Sequence, residues 1–309
     1  KPCSAAWSLR SAIKPAMSTT ATDGPPGSRG YAFTDRVEPT INRGPAVWHT
    51  CPVTDDVERL GDPASVLSDL HDAVDAVAAS LEGLEDWGPS EGPTGQYASD
   101  VVADRVVHGI LDPLGYGVLS EESGLTAPTV DGAPVVVVDP LDGSTNASRG
   151  LPWFATSLCA VGSDEPLAAV VADLVSGVRY DAVRGWGARR DGEPIARTSA
   201  PPLDEAMVGL SGLPPRHLGW GQYRSLGAAA LDLCAVADGR LDGYVDCSVD
   251  AHGVWDYLGA LLVCSEAGVE VVDAFGRELC VLDPEVRRTP VAGAGPALAE
   301  ALTEARRTF

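Results

Sequence analysis

Two carboxylates three residues apart, Asp139 and Asp142, close the run Val135-Val136-Val137-Val138-Asp139-Pro140-Leu141-Asp142-Gly143-Ser144-Thr145-Asn146. A carboxylate leaving a buried strand is costly unless something neutralises it, and a divalent cation does so. Oxygen ligands of this hardness suit Mg²⁺, Mn²⁺ or Ca²⁺, while Gly143 lets backbone N–H groups come close to an anion. Standing alone, the pattern D-x-x-D-G equally describes a turn that its own aspartates cap.

More acids stand where elements should begin or end. Asp100 opens a predicted helix, Glu121 and Glu122 close a short strand, and Asp256 follows Trp255 in a predicted first helical turn. Each has a plainer account: Asp100 as a helix cap, Glu121 and Glu122 as surface charge, Asp256 as an acid favoured near a helix N-terminus. Taken with Asp139 and Asp142, they supply enough oxygen ligands for two or three cations.

The elements that must position these acids follow from hydrophobic patterning. Four valines with no polar alternation predict a strand buried on both faces, stopped at Asp139-Pro140 because proline has no N–H for a ladder. Asp62-Pro63 caps and starts a helix whose apolar face is Val66, Leu67, Leu70, Val74, Val77, Leu81 and Leu84. Ser99-Asp100 is expected to cap a second helix, and Gly117–Leu119 to form a strand running into Ser120-Glu121-Glu122-Ser123. Strands are predicted over Phe154–Val161, Ala168–Leu174 and Val178–Val183, and a hairpin-like turn over Gly185–Gly192. Beyond the Pro201-Pro202 break come strands at Val208–Leu210, Gly243–Val245 and Val269–Val272. Helices are expected at Arg224–Val236, Trp255–Ala267 and Ala297–Arg306. Residues 1–60, rich in Gly, Pro, Ser and Thr, are expected to be a disordered arm, 61–200 an α+β metal-binding half and 201–309 an α/β substrate-binding half.

Composition excludes several classes. The 309 residues carry a net charge of −22, and after residue 55 sixteen Lys/Arg face forty Asp/Glu. So acidic a surface repels phosphate backbones, so no nucleic-acid partner is expected. No apolar run is long enough to span a bilayer, so no membrane partner is expected. Seven cysteines without C-x-x-C pairs argue against a disulfide framework and for a reducing compartment, hence a cytoplasmic protein. Lys1 and Lys14 are the only lysines and precede Met17, which fits Met17 as the natural start and residues 1–16 as an added leader; a high-Arg, low-Lys genome accounts for it equally well.

The motifs Glu121-Glu122-Ser123, Asp139 to Asn146, and Trp255-Asp256 with Glu266-Ala267-Gly268 occur in an order and spacing that resemble the inositol monophosphatase family, over about residues 62 to 305. A haloacid dehalogenase phosphatase also carries an Asp-rich D-G-T signature, but its aspartates are two apart. The resemblance implies a layered αβαβα sandwich of the inositol monophosphatase/fructose-1,6-bisphosphatase type, two or three Mg²⁺ ions, lithium sensitivity and a homodimer. It implies that Glu121, Asp139 and the Leu141 carbonyl hold one Mg²⁺, and Asp139, Asp142 and Asp256 a second. Ser144, where the family usually has Thr, would hydrogen-bond the attacking water with Asp100 behind it, and Glu121 would join them in catalysis. Gly143 and Ser144 would meet the phosphate by their backbone N–H groups.

For the substrate, a small phosphate ester, the resemblance implies Asp142, Gly143, Ser144, Gly227, Ala228 and Asp246 as contacts. Asp246 replaces a Glu that reads sugar hydroxyls in inositol-hydrolysing members, and residues 247–253 look longer than usual. His252 in that loop is expected to be solvated. Inositol monophosphate is the favoured substrate. The alternatives are 3′-phosphoadenosine phosphate, histidinol phosphate, fructose bisphosphate, or a regulatory protein that kept the fold without the activity.

Overall fold

A computed structural model describes residues 59–92, 95–196 and 199–309. The arm expected over 1–60 therefore lies outside the described residues apart from Arg59 and Leu60. Leu60 is already buried in the core, and Arg59 ion-pairs with Asp69.

Helix α1 (Pro63–Leu81) starts as expected: Asp62 accepts from Ser65 N at 3.1 Å, and Pro63 occupies the first turn. Its buried stripe of Val66, Leu70, Ala73, Val74, Val77 and Leu81 packs with Ala103, Val107 and Leu111 of α2 (Ala98–Leu111). The cap of α2 differs from expectation. Tyr97 is the N-cap and Asp100 the third helical residue, whose carboxylate reaches back to accept from Tyr97 N at 2.9 Å.

Strands β1 (Gly117–Ser120), β2 (Gly124–Thr126) and β3 (Val135–Asp142) come next, then the short helix α3 (Ser144–Ser148). Strands β4 (Ala155–Gly162), β5 (Glu165–Asp173), β6 (Arg179–Val183), β7 (Gly187–Arg190) and β8 (Glu193–Pro194) complete an eight-stranded sheet in the order β2-β1-β3-β4-β5-β6-β7-β8. Residues 185–192, expected as a turn, thus contribute β7, which pairs with β6 through Tyr180 to Val183. The four valines are sandwiched as predicted. Val136 and Val138 face α1 and α2, while Val137 faces the opposite core, each burial worth about 1.5–3 kcal/mol.

Pro140 does not end β3. The strand continues to Asp142, and its antiparallel register against β4 shifts between Asp139, opposite Ser157, and Asp142, opposite Ala155. Pro140 and Leu141 together face Thr156, whose hydroxyl donates to the Pro140 carbonyl at 2.9 Å. On a regular strand, residues three apart point to opposite faces. The extra residue of the bulge breaks that alternation between Asp139 and Asp142.

The second sheet follows: β9 (Met207–Ser211), β10 (Gln222–Arg224), helix α4 (Ala229–Ala237), β11 (Gly243–Asp246), helix α5 (Leu258–Glu266), β12 (Glu270–Asp273), β13 (Pro290–Gly293) and helix α6 (Pro296–Arg306). Its order is β10-β9-β11-β13-β12, with β13 antiparallel to both neighbours. Three expectations change here. Arg224 lies in β10, so α4 starts five residues later; a 3₁₀ turn at Val254–Asp256 precedes α5; and β13 was not foreseen. Helices α4 and α5 share one core with both sheets, and α6 packs with Val208, Leu210, Val245 and Val291 on the far face of the second sheet. The layers run α1/α2, first sheet, α4/α5, second sheet, α6: the αβαβα sandwich expected. The five cysteines recorded among the described residues are all free, and no helix there is long and apolar enough to cross a membrane.

Candidate active site

Glu121 follows directly on β1, Asp139 stands at the bulge of β3, and Asp256 lies in the 3₁₀ turn before α5. These three elements bring one carboxylate oxygen from each residue within 4.8 Å of one another. Asp139 is fully buried, and its recorded hydrogen-bond donor is Leu141 N, 3.1 Å from Oδ1. Burial raises its carboxyl well above the usual range, and Glu121, Asp142 and Asp256 push it further. Glu121 is an exposed residue at the mouth of the site. The protein around its carboxyl, then Asp256, Glu122 and Asp142, raise it to about 9.

Asp142 has two tasks. Its oxygens accept from Ala229 N at 3.2 Å and Ala230 N at 2.7 Å, capping α4 from across the interface, since the N-cap Ala228 has no side chain to do it. Burial and Asp256 still raise its carboxyl to about 7. Among the described residues, no Arg is recorded in an ion pair with Glu121, Asp139, Asp142 or Asp256; the one cation recorded there is His252. Converging carboxylates raised by one another fit a hard divalent cation, which would remove the repulsion.

Beside them, Gly143 adopts φ 85° as the N-cap of α3. A Cβ there would stand 3.0 Å from the Trp153 carbonyl and 3.1 Å from the Ala228 Cβ, so only glycine fits. Gly227, with φ 91°, faces Asn146 just as closely. The Asn146 amide donates to the carbonyls of Trp153 and Leu226, both at 2.8 Å, stapling the two loops together. Ser144, half-buried in the first turn of α3, lies beside Asp100, whose carboxylate accepts from Tyr97 N at 2.9 Å and from the Ser99 hydroxyl at 3.3 Å. Burial raises the Asp100 carboxyl to about 6, against the pull of Tyr97 N and Ser144.

Asp142, Gly227 and Ala228 line a cavity of about 160 Å³ together with Ser211, Ser225, Asp232, Tyr244 and His252. A larger cavity of about 470 Å³ beside α1 is lined by Val74, Leu81, Trp87, Phe154 and Leu174 among others, away from Glu121, Asp139 and Asp256. Asp246, fully buried at the end of β11, is not on the small cavity's wall. Its Oδ1 accepts from Ser248 N at 2.9 Å and its Oδ2 has no partner among the described residues.

His252 corrects the reading of a solvated loop histidine. Its Nδ1 lies 3.1 Å from Asp256 Oδ2, and its Nε2 lies 3.1 Å from the Tyr244 hydroxyl and 3.9 Å from Asp246 Oδ1. Burial alone would lower the imidazole, but the Asp256 bond and the charges of Asp256, Asp246 and Asp142 raise it to about 9. A backbone bridge to Arg288 draws the loop inward, a pairing between distant segments that local patterning does not show. Asp232 also went unnoticed. It is the one acid in a helix whose residues are otherwise apolar and buried throughout, and that isolation was the available signal.

Comparison with known proteins adds independent findings. The family model described as inositol monophosphatase family matches residues 98–308. The inositol-1-monophosphatase of Rhizobium meliloti (strain 1021) is 36% identical over 178 residues, which cover 52% of this chain and 64% of that protein, just under two thirds of its length. The Nus factor SuhB of Xylella fastidiosa is 32% identical over 206 residues, covering 60% of this chain and 72% of that one. Among solved structures, a protein from Pyrococcus horikoshii described as having similarities to inositol-1 monophosphatase superposes with a TM-score of 0.71 at 23% identity. That match covers 79% of this chain and 99% of the other, and it is a likeness of fold.

Proposed function

Since the chain belongs to the inositol monophosphatase family, we propose that it is a Mg²⁺-dependent phosphomonoesterase. Its proposed substrate is a small polyol or sugar phosphate, inositol monophosphate foremost. The observation that carries this reading is the convergence of Glu121, Asp139 and Asp256 within 4.8 Å beside the Gly143 turn.

In this reading Glu121, Asp139 and the Leu141 carbonyl hold one ion, and Asp139, Asp142 and Asp256 a second. Bound there, the ions supply Lewis-acid polarisation of the phosphoryl oxygens and charge neutralisation. The backbone N–H groups of Gly143 and Ser144 hold the phosphate without a Lys or Arg. Ser144 orients the attacking water. Asp100, beside Ser144 and raised to about 6, is poised to take up the proton the water loses. His252 fixes the orientation of the Asp256 carboxylate through its 3.1 Å contact. Lithium inhibition and a cytoplasmic homodimer complete the reading.

The likeness to a protein named Nus factor SuhB supports a second reading, in which the chain binds a partner and does not turn over substrate. The test is phosphate release from a panel of phosphate esters with and without Mg²⁺. Mg²⁺-dependent release supports the enzyme; silence across the panel favours the binding protein.

A further inference from the structure

The cavity beside Asp142 gathers more hydroxyl-reading groups than phosphate chemistry needs. Asp232 lines it from the first turns of α4, Ser211 and Tyr244 from neighbouring strands of the second sheet, and Ser225 and His252 from loops. At about 160 Å³ it has room for roughly five waters' share of liquid volume, enough for a compact polyhydroxylated ring.

Asp232 is 1% exposed. The Trp153 indole donates to its Oδ1 at 2.9 Å, while Oδ2 has no hydrogen-bond partner among the described residues. A buried carboxyl on the wall of a polar cavity, held through one oxygen, has hydrogen-bonding capacity left for a ligand hydroxyl. Trp153 is itself held from both sides. Its carbonyl accepts from Asn146 at 2.8 Å, and the Arg240 guanidinium lies 5.4 Å from its ring centroid. The loop that carries Gly143 is thus tied through one residue to Asp232.

We propose that Asp232, clamped by Trp153, accepts hydrogen bonds from hydroxyls of the substrate's leaving group and sets the preference for polyol phosphates. The assignment rests on the phosphomonoesterase reading. It gives Asp232 the direct contact and leaves Asp246, off the cavity wall, to support His252 from 3.9 Å. A carboxylate reader discriminates because a ligand without hydroxyls leaves it unpaired.

The test compares myo-inositol 1-phosphate with 4-nitrophenyl phosphate, whose leaving group presents no ring of hydroxyls. Native protein and Asp232→Asn are assayed with Mg²⁺, with melting temperature as the folding control. The expected result is a fall of about ten- to a hundredfold in kcat/KM for the inositol ester. The nitrophenyl ester should lose several-fold less, so that the ratio of the two specificity constants falls. Equal losses on both esters, or none on either, would overturn the assignment.

A second readout does not need turnover. Titrating myo-inositol 1-phosphate should change tryptophan emission in the native protein, and the change should vanish in Trp153→Phe and in Asp232→Asn. An emission change that survives in both variants, or no change in the native protein, counts against Asp232. If the native protein hydrolyses neither ester yet shows the titration, the phosphatase reading fails while the hydroxyl reader stands.

Discussion

Asp139, at the bulge of β3, and Asp273, at the end of β12, are both buried strand aspartates, and their surroundings are opposite. Asp273 closes β12 and accepts from Phe275 N at 2.9 Å, Arg277 N at 3.2 Å and Thr289 N at 3.0 Å, with the Arg277 guanidinium at 2.8–2.9 Å. Burial would raise its carboxyl, but these donors outweigh it and hold it at about 2. Asp173, at the end of β5, is likewise satisfied, by Val175 N, Ser176 N and the Ser176 hydroxyl. Asp139 has the Leu141 amide and otherwise faces acids. An acid that stabilises a turn comes with its own donors. Asp139, set among like charges, would have to find its neutralising partner outside the chain.

The contrast can be broken by substitution. The largest effect is expected at the cluster: Asp139→Asn or Asp256→Asn should take Mg²⁺-dependent phosphate release to background. The metal-free Asp139→Asn fold should keep or gain stability, because the change relieves repulsion at a buried site, whereas Asp256→Asn also takes from His252 its carboxylate partner. An Asn variant with near-normal turnover would break the contrast. Next, Ser144→Ala should lower kcat by roughly two to four orders of magnitude with KM little changed. Normal rates with a lower melting temperature would make Ser144 structural. Asp273→Asn should do the reverse, leaving turnover intact and costing about 1–3 kcal/mol in urea unfolding. Lost turnover in a stable Asp273→Asn protein would erase the distinction.

The smallest effect is on the pH dependence of melting without metal. Asp100, Asp142 and Glu121 have folded-state values raised to about 6, 7 and 9, so the folded chain binds protons more tightly than the unfolded one. Stability in chelator should therefore decline as pH rises through that window. Asp273, lowered to about 2, contributes stability that is present above the ordinary carboxylate value and lost as pH falls toward 2. Melting scans from pH 5 to 9 in chelator check the first statement, and a flat profile would contradict it. Added Mg²⁺ should raise the melting temperature more at pH 9 than at pH 5.

Much of this was legible along the chain. Valines at 135–138 required two buried faces, the apolar stripe of α1 named its core residues, and the order of the acids pointed to a cation site. What stayed hidden depends on pairing between distant segments. The bulge at Pro140-Leu141 exists only against β4, and Pro140, usually a strand breaker, masked it. Strand β13 is four residues with Pro290 at its start, too short to show a period, and its place between β11 and β12 is set by the sheet. His252 is drawn in by Arg288, thirty-six residues on. Asp232 joins Trp153 across seventy-nine residues of sequence.

The account stands or falls on whether the acids of the first sheet hold a cation. Calorimetric titration of Mg²⁺ into the metal-free native protein and into Asp139→Asn tests this directly. Saturable binding in the native protein, abolished or strongly weakened in Asp139→Asn, is the predicted result. No uptake by the native protein, or equal uptake by the variant, would contradict it.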